Sequence, residues 1–189
     1  MKHILTCVVT LFIIGAWAKV DAGGGTTSIE LDLNHLPDQY YSGHWGNIKV
    51  NDEELECMAT DIYFEARGES YDGRRAIAEV VMYRMKHTNY PDTVCGVIKD
   101  GIYPRWDIYK LSMPMKYRCA FSWYCDRKSD VVIKKEIFKA AKELAIRVML
   151  DTKYVPILDY ALFYHAANVE PYWSETMTIN KVIDNHVFY

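Results

Sequence analysis

Leu55, Met58, Ala59, Ile62, Tyr63 and Ala66 recur at spacings of three and four, which predicts an amphipathic helix over 53–67. Ile77, Val80, Val81 and Met85 predict a second helix over 74–87, entered through the turn Ser70-Tyr71-Asp72-Gly73. The longest stripe is Val132, Ile133, Ile137, Ala141, Leu144, Ala145 and Val148, a helix over 131–150 capped by Ser129 or Asp130. Asp92 or Thr93 caps a short segment at Val94–Ile98. Residues 100–118 carry Gly101, Pro104 and Pro114 and read as an irregular excursion. Cys119–Tyr124 and residues 159–165 read as short strands, and Asn185–Tyr189 as an extended end. The pattern is that of one mostly α-helical α+β domain over 51–189. Residues 29–50 hold Tyr40, Tyr41 and Trp45 with no clear period; they are an arm packed on the domain or a lead into it.

The first residues follow a different pattern. Met1-Lys2-His3 and the apolar run Ile4 to Ala18 form a basic start and a stretch short for a membrane span, as in a secretory signal. Small residues allow cleavage after Ala18 or Ala22, and an uncleaved membrane anchor is the competing reading. Gly23-Gly24-Gly25-Thr26-Thr27-Ser28 then serves as a tether. The expected product is secreted or periplasmic, monomeric and free of the membrane once cleaved.

Half of the 189 residues are hydrophobic and the net charge is −3, which suggests neither disorder nor a nucleic-acid partner. Fifteen Tyr and five Trp suit either a core or sugar stacking. Of five cysteines, Cys7 leaves with the signal. Cys57, Cys95, Cys119 and Cys125 remain, an even number consistent with two disulfides. Three pairings are open. Cys95–Cys119 with Cys57–Cys125 is favoured, because a Cys119–Cys125 bridge would constrain only a short loop. A four-cysteine zinc site competes, but no C-x-x-C pair supports it. There is no phosphate-binding Gly-rich loop and no HExxH motif.

Glu65 is the candidate for chemistry. At 100° per residue it lies about 20° from Met58, on the border of the buried stripe. Apolar neighbours there raise a carboxyl's pKa and let it hold a proton near neutrality. Gly68 lets the chain leave the helix, so Glu65 faces a turn, a suitable place for a general acid. The plainer reading is a solvated residue or a partner for Arg67, Arg74 or Arg75.

Separated motifs decide between these readings. Cys57 through Glu69, Gly73, Ala76-Ile77-Ala78-Glu79-Val80-Val81, Arg84 and Tyr90 through Val97 together resemble the SleB/CwlJ-type cell-wall hydrolases. Phe121-Ser122-Trp123, Cys125-Asp126, Tyr164-His165, Pro171, Trp173 and His186 to Tyr189 resemble that family in order and spacing. The resemblance implies a lysozyme-like groove, peptidoglycan glycan strands as substrate and no cofactor or metal. It places Glu65 where the family carries its catalytic glutamate. It also implies lytic transglycosylase chemistry, which needs one carboxyl: the sugar's own C6 hydroxyl attacks and 1,6-anhydroMurNAc ends result. A muramidase or glucosaminidase would need a second carboxylate. A secreted peptidoglycan-binding module without turnover is the reading from another class.

Glu69 is the rival carboxylate or, more in keeping with a turn, a brace to Arg67 or Arg84. Phe121, Ser122 and Trp123 are expected to line the groove, with Ser122 on an N-acetyl group and the rings on sugar. Ala120 and Arg127 depart from the family's usual glutamine and glycine, which removes one sugar contact. Tyr164 and His165 are expected near the substrate. His186 packs with Phe188 and Tyr189, and Asp61, Asp126 and Glu170 remain without a role. A net acidic chain gains no general attraction to anionic wall polymers, so targeting falls to the groove.

Overall fold

A computed structural model describes residues 39–110 and 112–189; the expected signal and tether lie outside the described residues. The first described element is a hairpin, β1 (Gln39–Gly43) and β2 (Gly46–Val50), paired from Gln39↔Val50 to Gly43↔Gly46. Gly46 supplies the positive φ of 73° that its turn requires. Residues without a visible period thus form a regular element. Its buried side chains are Trp45, Ile48 and Val50, and the Trp45 indole donates to the Val148 carbonyl at 2.7 Å.

Four longer segments become helices α1 (Asp52–Ala66), α2 (Tyr71–Lys86), α3 (Val94–Lys99) and, after a single turn α4 (Ser122–Cys125), α5 (Lys135–Leu150). Asn51 caps α1 by accepting from the Glu54 N–H, and Asp52, Glu53 and Glu54 complement the positive end of its dipole. Ser70 caps α2, so the turn expected at 70–73 is that helix's first turn. Thr93, one of the two expected residues, caps α3. The helix expected from 131 begins only at Lys135, with no side-chain cap. The β-branched run Val131-Val132-Ile133 opposes helix there, and the Lys134 N–H is instead taken up by the Tyr63 hydroxyl at 3.2 Å.

α1 runs through the middle of the fold. Its Met58, Ala59, Ile62 and Tyr63 meet Val81 and Met82 of α2, Val97 and Ile98 of α3, and Leu144, Ala145 and Val148 of α5. A smaller cluster joins Ala66, Ala76, Ile77 and Val80 to Leu158, Ala161 and Phe188. It seats the C-terminal sheet, which consists of β3 (Tyr164–Ala166), β4 (Lys181–Ile183) and β5 (His186–Phe188) in the antiparallel order β3-β5-β4. The strand expected over 159–165 is therefore confined to its end. Tyr160, with a φ of 57°, breaks the extension before it.

The disulfides are Cys57–Cys95 and Cys119–Cys125, not the favoured pairing. Loop length governs how much a bridge stabilises, whereas connectivity follows from proximity in the fold. Cys57 lies on α1 and Cys95 on α3, two helices packed side by side, with Cα atoms 5.4 Å apart. The second bridge also explains why Cys119–Tyr124 is not a strand. Six extended residues would span roughly 20 Å, but the Cα atoms of Cys119 and Cys125 are 6.2 Å apart. The chain coils into α4 instead, keeping only an isolated bridge between Gly101 and Cys119. Cys57→Ser with Cys95→Ser releases a cross-link between residues 38 apart. It is expected to cost about 2–4 kcal/mol, read as a lower denaturant midpoint under oxidising conditions.

Candidate active site

Glu65 sits in the last turn of α1, half-buried between α4 and β3. The Tyr164 hydroxyl of β3 donates to its Oε2 at 2.9 Å, and the backbone N–H of Ser122 donates from the start of α4. Burial pushes the Glu65 carboxyl above its ordinary range. The Tyr164 hydroxyl, the Arg84 charge and the Ser122 N–H oppose that shift without cancelling it. A carboxyl so placed holds a proton at higher pH than a solvated glutamate and has fixed donors waiting when it ionises.

One turn earlier on the same face, Asp61 is fully buried, and its Oδ1 accepts from the Trp123 indole N–H at 2.9 Å. Desolvation and the neighbouring Glu65 charge push the Asp61 carboxyl well up. Arg84 of α2 is the cation whose charge reaches both. It is buried, its Nε donates to the Leu162 carbonyl at 2.8 Å, and its guanidinium lies 5.1 Å from the Phe121 ring and 5.6 Å from the Tyr90 ring.

Several expected positions change meaning. Phe121, expected to stack on sugar, is 1% exposed; it forms the wall between Arg84 and Tyr164, whose ring centre is 6.4 Å from its own. Ser122 meets Glu65 through its backbone N–H, while the residue stays exposed at the site's edge. Trp123 is half-buried, stacked on Phe64 at 5.0 Å and 21°. Alternation along β3 separates Tyr164 from His165. Tyr164 reaches Glu65, whereas the His165 ring stacks on Tyr189, bonds its hydroxyl through Nε2 at 2.9 Å and packs edge-on against Trp173.

Glu69 braces neither Arg67 nor Arg84. Its carboxylate accepts from the Asn185 backbone and side chain at 3.2 Å, and Asp184 in the same turn accepts from the Ser70 N–H at 2.8 Å. These bonds fasten the α1–α2 junction to the β4–β5 turn, which holds Tyr164 over Glu65 through the sheet. His186 is buried, with its ring 5.5 Å from Tyr164 and 6.1 Å from Phe188, and burial lowers its pKa.

Asp61 and Arg84 are the residues without an expected role at Glu65. The signals were present: Asp61 precedes Glu65 by four, and Arg84 interrupts the apolar series Val80, Val81, Met82, Met85. Beyond Trp123 a groove of about 270 Å³ is lined by Cys57 and Thr60 of α1, Ile98 and Lys99 of α3, and Tyr124. Among the described residues, no group of three or more His, Cys, Asp or Glu is placed to hold a metal ion.

The Tyr164 hydroxyl favours the ionised form of Glu65. Tyr164→Phe is therefore expected to raise the Glu65 pKa further and to move the alkaline limb of any Glu65-dependent activity to higher pH. A pH–rate profile of both proteins checks the direction.

Residues 68–189 match the model of the cell wall hydrolase family. The chain belongs to that family. The match begins three residues after Glu65 and does not include it. Spore cortex-lytic enzymes are similar over short segments. That of Oceanobacillus iheyensis is 47% identical over 45 residues, 24% of this chain and 16% of the relative. That of Halalkalibacterium halodurans is 44% identical over 48 residues, 25% of this chain and 14% of the relative. The chain therefore matches only a small part of these relatives' length. The catalytic domain of the germination-specific lytic transglycosylase SleB from Bacillus anthracis is 28% identical, with a TM-score of 0.50 over 74% of this chain and 95% of that domain. The fold is the expected lysozyme-like α+β fold, helical in the main, with its small sheet beside the candidate glutamate.

Proposed function

We propose that this cell wall hydrolase cleaves the MurNAc–GlcNAc bond of peptidoglycan glycan strands as a lytic transglycosylase, with Glu65 as acid and then base. The observation that carries this reading is the half-buried Glu65 carboxyl, raised by burial yet held by Tyr164 and the Ser122 N–H. The Glu65 proton passes to the glycosidic oxygen as the bond from C1 of MurNAc breaks. The C6 hydroxyl oxygen of the same MurNAc then bonds to C1, and its proton returns to Glu65. Trp123 and the exposed edge at Ser122 are the surfaces assigned to sugar.

A hydrolase of the same strand requires a second carboxyl open to the sugar, as nucleophile or as the base for water. Asp61 is 0% exposed and Glu69 is tied to Asn185, which supports the single-glutamate reading. The similarity to a lytic transglycosylase catalytic domain points the same way. The N-terminal segment, taken as an export signal, would deliver the enzyme to the wall.

Incubation with purified, insoluble peptidoglycan tests the enzyme reading. Soluble glycan fragments are expected to appear with time. Protein that sediments with the wall and releases no fragments would mark a binding module instead.

A further inference from the structure

Two carboxyls, Asp61 and Glu65, stand one turn apart on α1, where side chains four residues apart are neighbours. Every packed element supplies few groups to them. α2 contributes Arg84, the one cation whose charge reaches both among the described residues. α4 contributes two neutral donors, the Ser122 N–H to Glu65 and the Trp123 indole to Asp61. β3 contributes the neutral Tyr164 hydroxyl, and β5 places His186 behind Tyr164. The Asp61 Oδ2 is buried and meets no hydrogen-bond donor from the protein. An ionised carboxylate leaves such an oxygen uncompensated, whereas a protonated carboxyl places its hydrogen there and carries no charge. With one cation for a buried and a half-buried carboxyl, electroneutrality is reached when one of them keeps its proton.

We propose that Asp61 is a positioning residue that shares a single proton with Glu65 across the neutral pH range. The inference rests on the acid role of Glu65 only for its effect on turnover. At low pH both carboxyls are protonated. As pH rises one proton leaves, and the remaining one is distributed between two arrangements: Asp61 protonated with Glu65 ionised, or the reverse. Their ratio does not depend on pH, because both hold one proton. A fixed fraction of the protein therefore keeps Glu65 in its acid form until the second proton is lost. Asp61 never touches substrate; it prevents the acid form from vanishing above the first titration.

Two measurements test this on the full chain. In the first, turnover is followed against pH for the wild type and Asp61→Asn, each normalised to its own maximum. The wild type is expected to fall and then level to a plateau, whereas Asp61→Asn keeps falling, about tenfold per pH unit, as a single acid does. Parallel limbs overturn the proposal. The second measurement needs no activity and no Asp61 variant: carboxyl-carbon NMR of side-chain-labelled protein, wild type against Glu65→Gln. Asp61 is expected to remain protonated where Glu65 is ionised, and its titration to move to lower pH in Glu65→Gln. An Asp61 carboxylate ionised throughout the neutral range, or a midpoint unmoved by Glu65→Gln, overturns it. Coupled titration in a protein that releases no glycan would refute the enzymatic reading and leave the shared proton standing; uncoupled titration in an active enzyme would do the reverse.

Discussion

Glu65→Gln is expected to lower the release of glycan fragments by roughly 10²–10⁴-fold, the usual contribution of a general acid. Gln has the shape of Glu and still accepts a hydrogen bond from Tyr164, but it has no proton to give to the leaving oxygen. Wall binding should survive, because Trp123 and the Ser122 edge are untouched. The measurement is fragment release per unit protein beside sedimentation with insoluble wall. Binding retained without release identifies Glu65 as chemistry. Equal loss of both would mean that the substitution disturbs the groove. The pH dependence carries a sign. Burial raises the Glu65 pKa, so the active, protonated form persists toward neutrality and activity falls, rather than rises, as pH climbs through the raised value.

Glu79→Ala is expected to have the largest effect on stability, about 3–5 kcal/mol, because it removes one partner of a buried ion pair. The Glu79 side chain is fully buried beside Arg75, whose Nε is 3.2 Å away. It also accepts from the Tyr154 hydroxyl and from the backbone N–H groups of Ile157 and Leu158, the latter at 2.9 Å. One carboxylate on α2 thereby holds the chain between α5 and the C-terminal sheet. Alanine leaves two backbone donors and the Tyr154 hydroxyl without their acceptor, takes the carboxylate partner from Arg75 and opens a void. Because that segment leads to Tyr164, the damage should reach the site. Glu79→Gln should be milder, since an amide oxygen still accepts. Chemical denaturation of both variants gives the comparison.

Those two glutamates illustrate what the sequence made legible. The stripe beginning at Leu55 located α1 to within a residue of its observed start and end, and with it Glu65 at the stripe's border. The resemblance then distinguished Glu65 from Glu79, which a hydrophobic pattern cannot do: both are carboxylates on amphipathic helices. Glu79 is not at a border at all; it is buried because a distant loop brings its hydrogen bonds to it. Arg84 is hidden in the same way. A charge inside an apolar series reads as a solvated break until its partners on α1 and at Tyr90, Phe121 and Leu162 are known.

The remaining differences have local causes. The hairpin at 39–50 carries its burial on Trp45, Ile48 and Val50, too few positions to show alternation through Gly43 and Gly46. Phe121 and Trp123 sit two apart, which in a strand would place both rings on one face. The Cys119–Cys125 bridge coils the segment, so that Phe121 turns into the core and Trp123 remains at the groove. Tyr164 and His165 were expected together near substrate, but in a real strand neighbours point to opposite faces.

Mass spectrometry of the fragments released from purified peptidoglycan tests the central claim most directly. Glycan ends carrying 1,6-anhydroMurNAc are the predicted result, since only attack by the sugar's own C6 hydroxyl produces them. Reducing ends formed by water would contradict the single-glutamate account.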